Sequence, residues 1–106
     1  MPHVIVSTTL PDRESADDLA RSLVHARLAA CVSVGAPVTS IYHWRGAIET
    51  SIEVPVRIKT RAELLDALAA AIRARHPYEL PEILAVPVCD GSDEYLAWID
   101  AETRPP

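Results

Sequence analysis

The sequence predicts an α+β domain, a ferredoxin-like βαββαβ sandwich with an extra C-terminal helix. Three observations carry that reading. β-Branched runs and two amphipathic helical segments follow one another in the order β-α-β-β-α-β-α. Right-handed crossovers turn the first and last βαβ segments into interleaved units. The two middle strands are joined by a tight Arg45-Gly46 turn, so they form a hairpin. With 106 residues and 49% hydrophobic composition, the chain reads as a single domain over residues 1–106.

The run from His3 to Thr9 is a buried strand by length and β-branching. Leu10-Pro11-Asp12 breaks it, and Asp12 is placed to cap the following helix. Ala16, Leu19, Ala20, Leu23, Val24 and Leu28 recur at helical spacing and should face the core. A second strand starts at Cys31-Val34, is bent or bulged by Gly35-Ala36-Pro37, and continues through Val38-Trp44.

After the turn the alternation is clear. Ile48, Ile52, Val54, Val56 and Ile58 point one way, and Glu49, Ser51, Glu53, Pro55, Arg57 and Lys59 point the other. Pro55 lacks a ladder N–H, so either a bulge or a gap in pairing must stand beside it. Thr60 and Glu63 have capping-box spacing and should open the second helix, with Leu64, Leu65, Leu68, Ala69 and Ile72 buried. Pro77 ends that helix near Arg75-His76. Ile83-Val88 is the last strand, Gly91-Ser92-Asp93 caps a short helix carrying Tyr95, Leu96 and Ile99 on one side, and Thr103-Pro106 is a tail.

The composition narrows the function classes. Net charge is −5 and the longest basic cluster is Arg73-Ala74-Arg75, which argues against nucleic acid as a partner. No stretch approaches the ~18 apolar residues of a membrane span. Met1-Pro2-His3 leads directly into a strand with no signal-peptide pattern, so the expected location is cytoplasmic. There, Cys31 and Cys89 are expected as reduced thiols, and no CxxC or HxxxH spacing is present. No set of nucleophile, base and orienting group is legible, so the chain is not read as an enzyme.

Two features exceed what a plain sandwich needs. The Val38–Lys59 hairpin outruns strands of six or seven residues, and Val38, Tyr42 and Trp44 place an apolar row on one of its faces. Pairing with another chain in a closed symmetric oligomer would satisfy both the overhang and the row. The second feature is His76-Pro77-Tyr78-Glu79-Leu80-Pro81-Glu82-Ile83, a connector stiffened by two prolines that holds an imidazole, a phenol and two carboxylates.

Leu28-Ala29-Ala30-Cys31-Val32, Ser40-Ile41-Tyr42-His43-Trp44-Arg45-Gly46, Glu53-Val54, Ile58-Lys59-Thr60, His76 through Ile83 and Tyr95-Leu96-Ala97-Trp98-Ile99 together resemble the CutA divalent-cation tolerance family. The resemblance runs from Val4 to about Ala101. It implies a ferredoxin-like protomer in a homotrimer similar to PII-type signalling proteins, a link to copper or another divalent cation, and no organic cofactor.

Cys31, His76 and Glu82 are candidate metal ligands within that resemblance, and Cys89 is a fourth where the chain departs from it, with Cys89 and Asp90 in a loop where some members carry a histidine. A thiolate suits copper, and imidazole binds copper and zinc. Plainer readings stand beside two of them, Cys31 as a small core residue and His76 as a group bonding the last helix carbonyls, while Glu79 reads as a solvated loop carboxylate and Glu82, held after Pro81, as the better oxygen donor. Tyr42, Trp44, Lys59, Tyr78 and Trp98 are the candidate walls of an intersubunit cleft, with Lys59 expected to pair with Glu82. His3, His25 and His43 match no ligand spacing and read as surface or edge residues. The leading expectation is a trimeric protein binding divalent cations. The alternatives are a PII-like sensor that holds a small anion near Arg57, Lys59, Tyr42 and His76, or a structural trimer with a protein partner.

Overall fold

The computed structural model describes residues 2–105. Strand β1 (His3–Leu10) leads through Asp12, whose carboxylate accepts from the Ser15 N–H at 2.7 Å, into helix α1 (Arg13–His25). That bond holds the Asp12 carboxyl below its usual range. Ala16, Leu19, Ala20 and Leu23 form the buried stripe of α1, whereas Val24 lies outside it and is exposed. The helix ends with Arg27 at φ 59°, and the N–H of Leu28 returns to the Leu23 carbonyl at 3.0 Å.

Strands β2 (Cys31–Val34), β3 (Val38–Trp44) and β4 (Ala47–Arg61) follow as expected, with β3 and β4 closed by Arg45 and Gly46, both at positive φ. Positive φ at both turn positions is the two-residue hairpin geometry that matches strand twist. Helix α2 (Leu65–Arg75), strand β5 (Leu84–Pro87) and helix α3 (Asp93–Glu102) complete the order. The sheet runs β2-β4-β1-β5, with β3 also on β4, and the neighbouring pairs are antiparallel. This is the ferredoxin-like arrangement.

One face of the sheet carries α1 and α2. Val4, Val6 and Leu10 of β1, and Val54, Val56 and Ile58 of β4, form the core there with Leu19, Leu23, Leu68 and Ile72. The other, more open face carries α3 at one end, held by a His3–Asp100 bond of 2.8 Å and by Arg61 donating to the Thr103 hydroxyl and carbonyl at 2.7 and 2.9 Å. His3 and Thr103 are therefore buried, not the surface residue and the loose tail that the sequence suggested.

One other expectation is corrected. Thr60 does not cap a helix. It is the penultimate residue of β4, and its hydroxyl donates to the Leu28 carbonyl at 2.7 Å. Its nominal partner Glu63 sits in a 3-10 turn (Ala62–Leu64) and pairs with Arg61. Ile48 and Ile52 continue the alternation but lie beyond the helices, so they are 69% and 62% exposed.

Pro55 is reconciled by the bend in its neighbour. Val34 pairs with Val56 and Val38 with Glu53, so three residues (35–37) oppose two (54–55). This bulge places Gly35 against Pro55, where the N–H of Gly35 donates to the proline carbonyl at 2.9 Å. The ladder position that Pro55 cannot fill thus falls at the bulge. The bulge also flips parity, so Val32 and Val34 pack on the core while Val38, Ser40, Tyr42 and Trp44 share the open face.

Candidate functional site

The stiff loop after α2 is pinned to the open face. Pro77 holds His76 in extended backbone at φ −80° and ψ 133°, which ends the helix and turns the imidazole toward the end of β1. Nε2 of His76 bonds the Thr9 carbonyl at 2.7 Å, and the Tyr78 N–H donates to Nδ1 at 3.1 Å. A carbonyl only accepts and an amide N–H only donates, so the ring is the neutral Nε2–H tautomer with both nitrogens engaged. The Tyr78 ring packs on it at 4.8 Å.

Beside this pair lies Glu53, only 8% exposed. Its neighbours explain how a carboxylate stands there. Thr9 Oγ1 donates to Glu53 Oε2 at 2.9 Å, and the hydroxyls of Ser40 and Tyr78 are directed at the same group. Burial alone would raise its pKa. The hydroxyls of Ser40, Thr9 and Tyr78 outweigh burial and keep the carboxyl below its usual range. The phenol shifts the other way. Burial, then the bond to Glu53 and its charge, push Tyr78 up to about 12. The proton therefore stays on Tyr78 and the negative charge on Glu53.

Next to this cluster a cavity of about 600 Å³ opens on the same face. Its lining includes Ser7, Ser33, Ser40, Pro55, Arg57 and Glu82. Arg57 pairs in register with Ser33 of β2 on one side and with Ser7 of β1 on the other.

The candidate metal ligands are dispersed within one protomer. Cys31 is partly buried at the β2 edge, opposite Lys59, whereas Cys89 is exposed just beyond β5 on the other edge. Those edges are three strand spacings apart, roughly 14 Å. His76 is at the opposite end of β1, with Thr9, while Glu82 is exposed at the cavity rim. Among the described residues no three His, Cys, Asp or Glu side chains converge to hold a metal ion.

The residues expected to wall a cleft separate into two groups. Tyr42 (hydroxyl 3.2 Å from Ser51 Oγ), Trp44 and Tyr78 belong to the hairpin and loop end. Lys59 and Trp98 belong to the α3 end. Lys59 does not pair with Glu82. Its Nζ donates to the Tyr95 hydroxyl at 3.2 Å and lies 5.4 Å over that ring, which in turn packs on Trp98. Glu79 meets Arg45 at the hairpin tip at 2.6 Å, with both side chains exposed. Glu53 and Thr9 are the residues that the sequence reading missed. Alternation placed Glu53 on a wet face, and only the loop that lands on it makes it a buried, hydroxyl-bonded carboxylate.

These features define a class: small ferredoxin-like sandwich proteins with a hairpin that outruns the sheet and a polar site on the sheet's open face. Residues 4–102 match the family described as CutA1 divalent ion tolerance protein, and the chain belongs to that family. It is similar to the Protein CutA, chloroplastic, of Arabidopsis thaliana, with 40% identity over 98% of this chain and 57% of the relative. It is also similar to the divalent-cation tolerance protein CutA of Escherichia coli, with 39% identity over 95% of this chain and 90% of the relative. The chain thus spans little more than half the length of the plant protein. Among solved structures, CutA from Xylella fastidiosa superposes with a TM-score of 0.95 at 42% identity, over 98% of this chain and 100% of that one. The family's description and the Escherichia coli relative's name speak of tolerance to divalent cations.

Proposed function

We propose that the chain acts as a homotrimeric divalent-cation tolerance protein that binds copper or another divalent ion and works in the cytoplasm. Family membership over nearly the whole chain is the observation that carries this reading. The exposed apolar hairpin supports assembly, because Ile41, Ile48 and Ile52 are 70%, 69% and 62% exposed in the protomer. Net charge of −5 favours cations over nucleic acid as partners, and no helix among the described residues is long and apolar enough to cross a membrane.

Cys31, His76, Glu82 and Cys89 remain the proposed donors, and the two thiols give the set its copper preference. Within one protomer these residues do not fit a single ion. The proposal therefore requires a site shared between protomers, with Cys89 and Glu82 as its accessible members and His76 recruited only by giving up a ring-nitrogen bond.

Competition titrations against a copper chelator test the site, with wild type compared against Cys31→Ser, His76→Ala, Glu82→Gln and Cys89→Ser. Loss of affinity in the cysteine variants supports it. Equal affinity in all of them sinks the assignment. Light scattering of the eluted protein reads the trimer directly.

A further inference from the structure

We infer that the open-face cavity beside Arg57 is a binding site for a small amino or hydroxy carboxylic acid, built without the two cysteines of the metal reading. The argument starts from one row across the sheet. Ser33, Arg57 and Ser7 are register partners on β2, β4 and β1 and project to the same face, so a serine stands on either side of Arg57. Among the described residues no carboxylate lies within ion-pairing distance of Arg57. A guanidinium and two serine hydroxyls lining one end of a cavity bring several donors to it, which is the chemistry that holds a carboxylate.

The far end of the cavity has the opposite character. Glu82 lines it, two residues before Leu84, the register partner of Ser7, and so about 7 Å farther along the sheet. Buried Glu53 does not line the cavity but bonds two residues that do, Thr9 and Ser40. The cavity is therefore polarised, with donors at the Arg57 end and a carboxylate, Glu82, at the other. A ligand matching both carries a carboxylate at one end and a hydroxyl or ammonium donor at the other. At about 600 Å³ the space admits such a molecule with room for a side chain. Lys59, Tyr42 and His76 are not required, since each is engaged elsewhere.

Thermal-shift and calorimetric titrations with glycine, serine, lactate, acetate and inorganic phosphate at matched ionic strength test the site. An amino or hydroxy acid should raise the unfolding midpoint above the salt control and bind better than acetate or phosphate. Arg57→Ala should weaken that binding about tenfold or more, as loss of a charge-assisted bond does. Arg57→Lys should retain part of it. Glu82→Gln should weaken the amino acids and leave acetate unchanged. The Cys31→Ser, Cys89→Ser double variant should bind the acid normally, which separates this site from the metal reading. The proposal fails if no acid exceeds the salt control, if phosphate is preferred, or if both Arg57 variants bind as wild type. It also fails if no acid binds the parent while Arg57→Ala alters the oligomeric state, since Arg57 would then serve assembly.

Discussion

Gly35 and Pro55 occupy one another's blind spots in the sheet. The N–H of Gly35 bonds the Pro55 carbonyl at 2.9 Å, and a Cβ on Gly35 would come within 3.0 Å of the proline ring carbon Cγ. The glycine leaves room for the ring, and the bulge that contains the glycine absorbs the ladder bond that the ring cannot make. Gly35→Ala should therefore destabilise the protein by about 1–3 kcal/mol through overpacking. In a Pro55→Ala background the same change should cost clearly less, because the atom it strikes is gone. Denaturant midpoints of the four proteins read the coupling, and strict additivity would show that the contact carries no energy.

That pair shows what the sequence could and could not tell. Gly35, Pro37 and Pro55 were visible as breakers, so a bulge or a pairing gap was expected, but their meeting depends on register, which no local pattern specifies. The element order, the Asp12 and Ser92 caps and the Arg45-Gly46 turn were legible because each rests on residues within a few positions. Thr60 misled because its capping-box spacing competed with a carbonyl 32 residues away, that of Leu28. The site was half legible for the same reason. The rigidity of the His76–Ile83 loop is written in its prolines, whereas Glu53, Thr9 and the Ser33–Arg57–Ser7 row come together only through strand pairing.

Glu53 and Tyr78 predict opposite ends of the pH-stability profile. The carboxyl has a lowered pKa in the fold, so its contribution is present above the unfolded carboxylate value and is lost as pH falls through the folded one. The phenol is raised from 10.0 to about 12, so its contribution is complete below 10 and lost as pH climbs through about 12. Absorbance titration should show a late tyrosinate step near pH 12 that disappears in Tyr78→Phe. Glu53→Gln should lower that step toward the ordinary phenol range. A late step that survives Tyr78→Phe would assign it to another tyrosine.

Thr8 offers a stabilising change. Its side chain is buried on β1 opposite Val56, and its hydroxyl has no hydrogen-bond partner among the described residues. An unmet buried hydroxyl costs about 1–3 kcal/mol, and valine fills nearly the same volume without it. Thr8→Val should raise the melting temperature, or at the least leave it unchanged. A clear fall would mean that the hydroxyl does have a partner in solution, such as an ordered water.

The hairpin separates a monomer from an assembly with one charge. Ile41, Ile48 and Ile52 lie on the helix-side face of β3 and β4, beyond the reach of α1 and α2, and each is more than 60% exposed in the protomer. In a monomer, replacing any of them with glutamate touches little except water, and stability should change by about 0.5 kcal/mol or less, as at ordinary surface sites. If copies of the chain cover this face, the same charge is buried at an apolar contact without a partner, and assembly should be lost or strongly weakened. Ile52→Glu and Ile48→Glu are therefore expected to run as smaller species in light scattering, while circular dichroism shows that the β-sheet and helices persist. An intact trimer in both variants would move the subunit contact to the opposite face of the hairpin, where Val38, Tyr42 and Trp44 stand in a row, and Tyr42→Glu would become the decisive substitution.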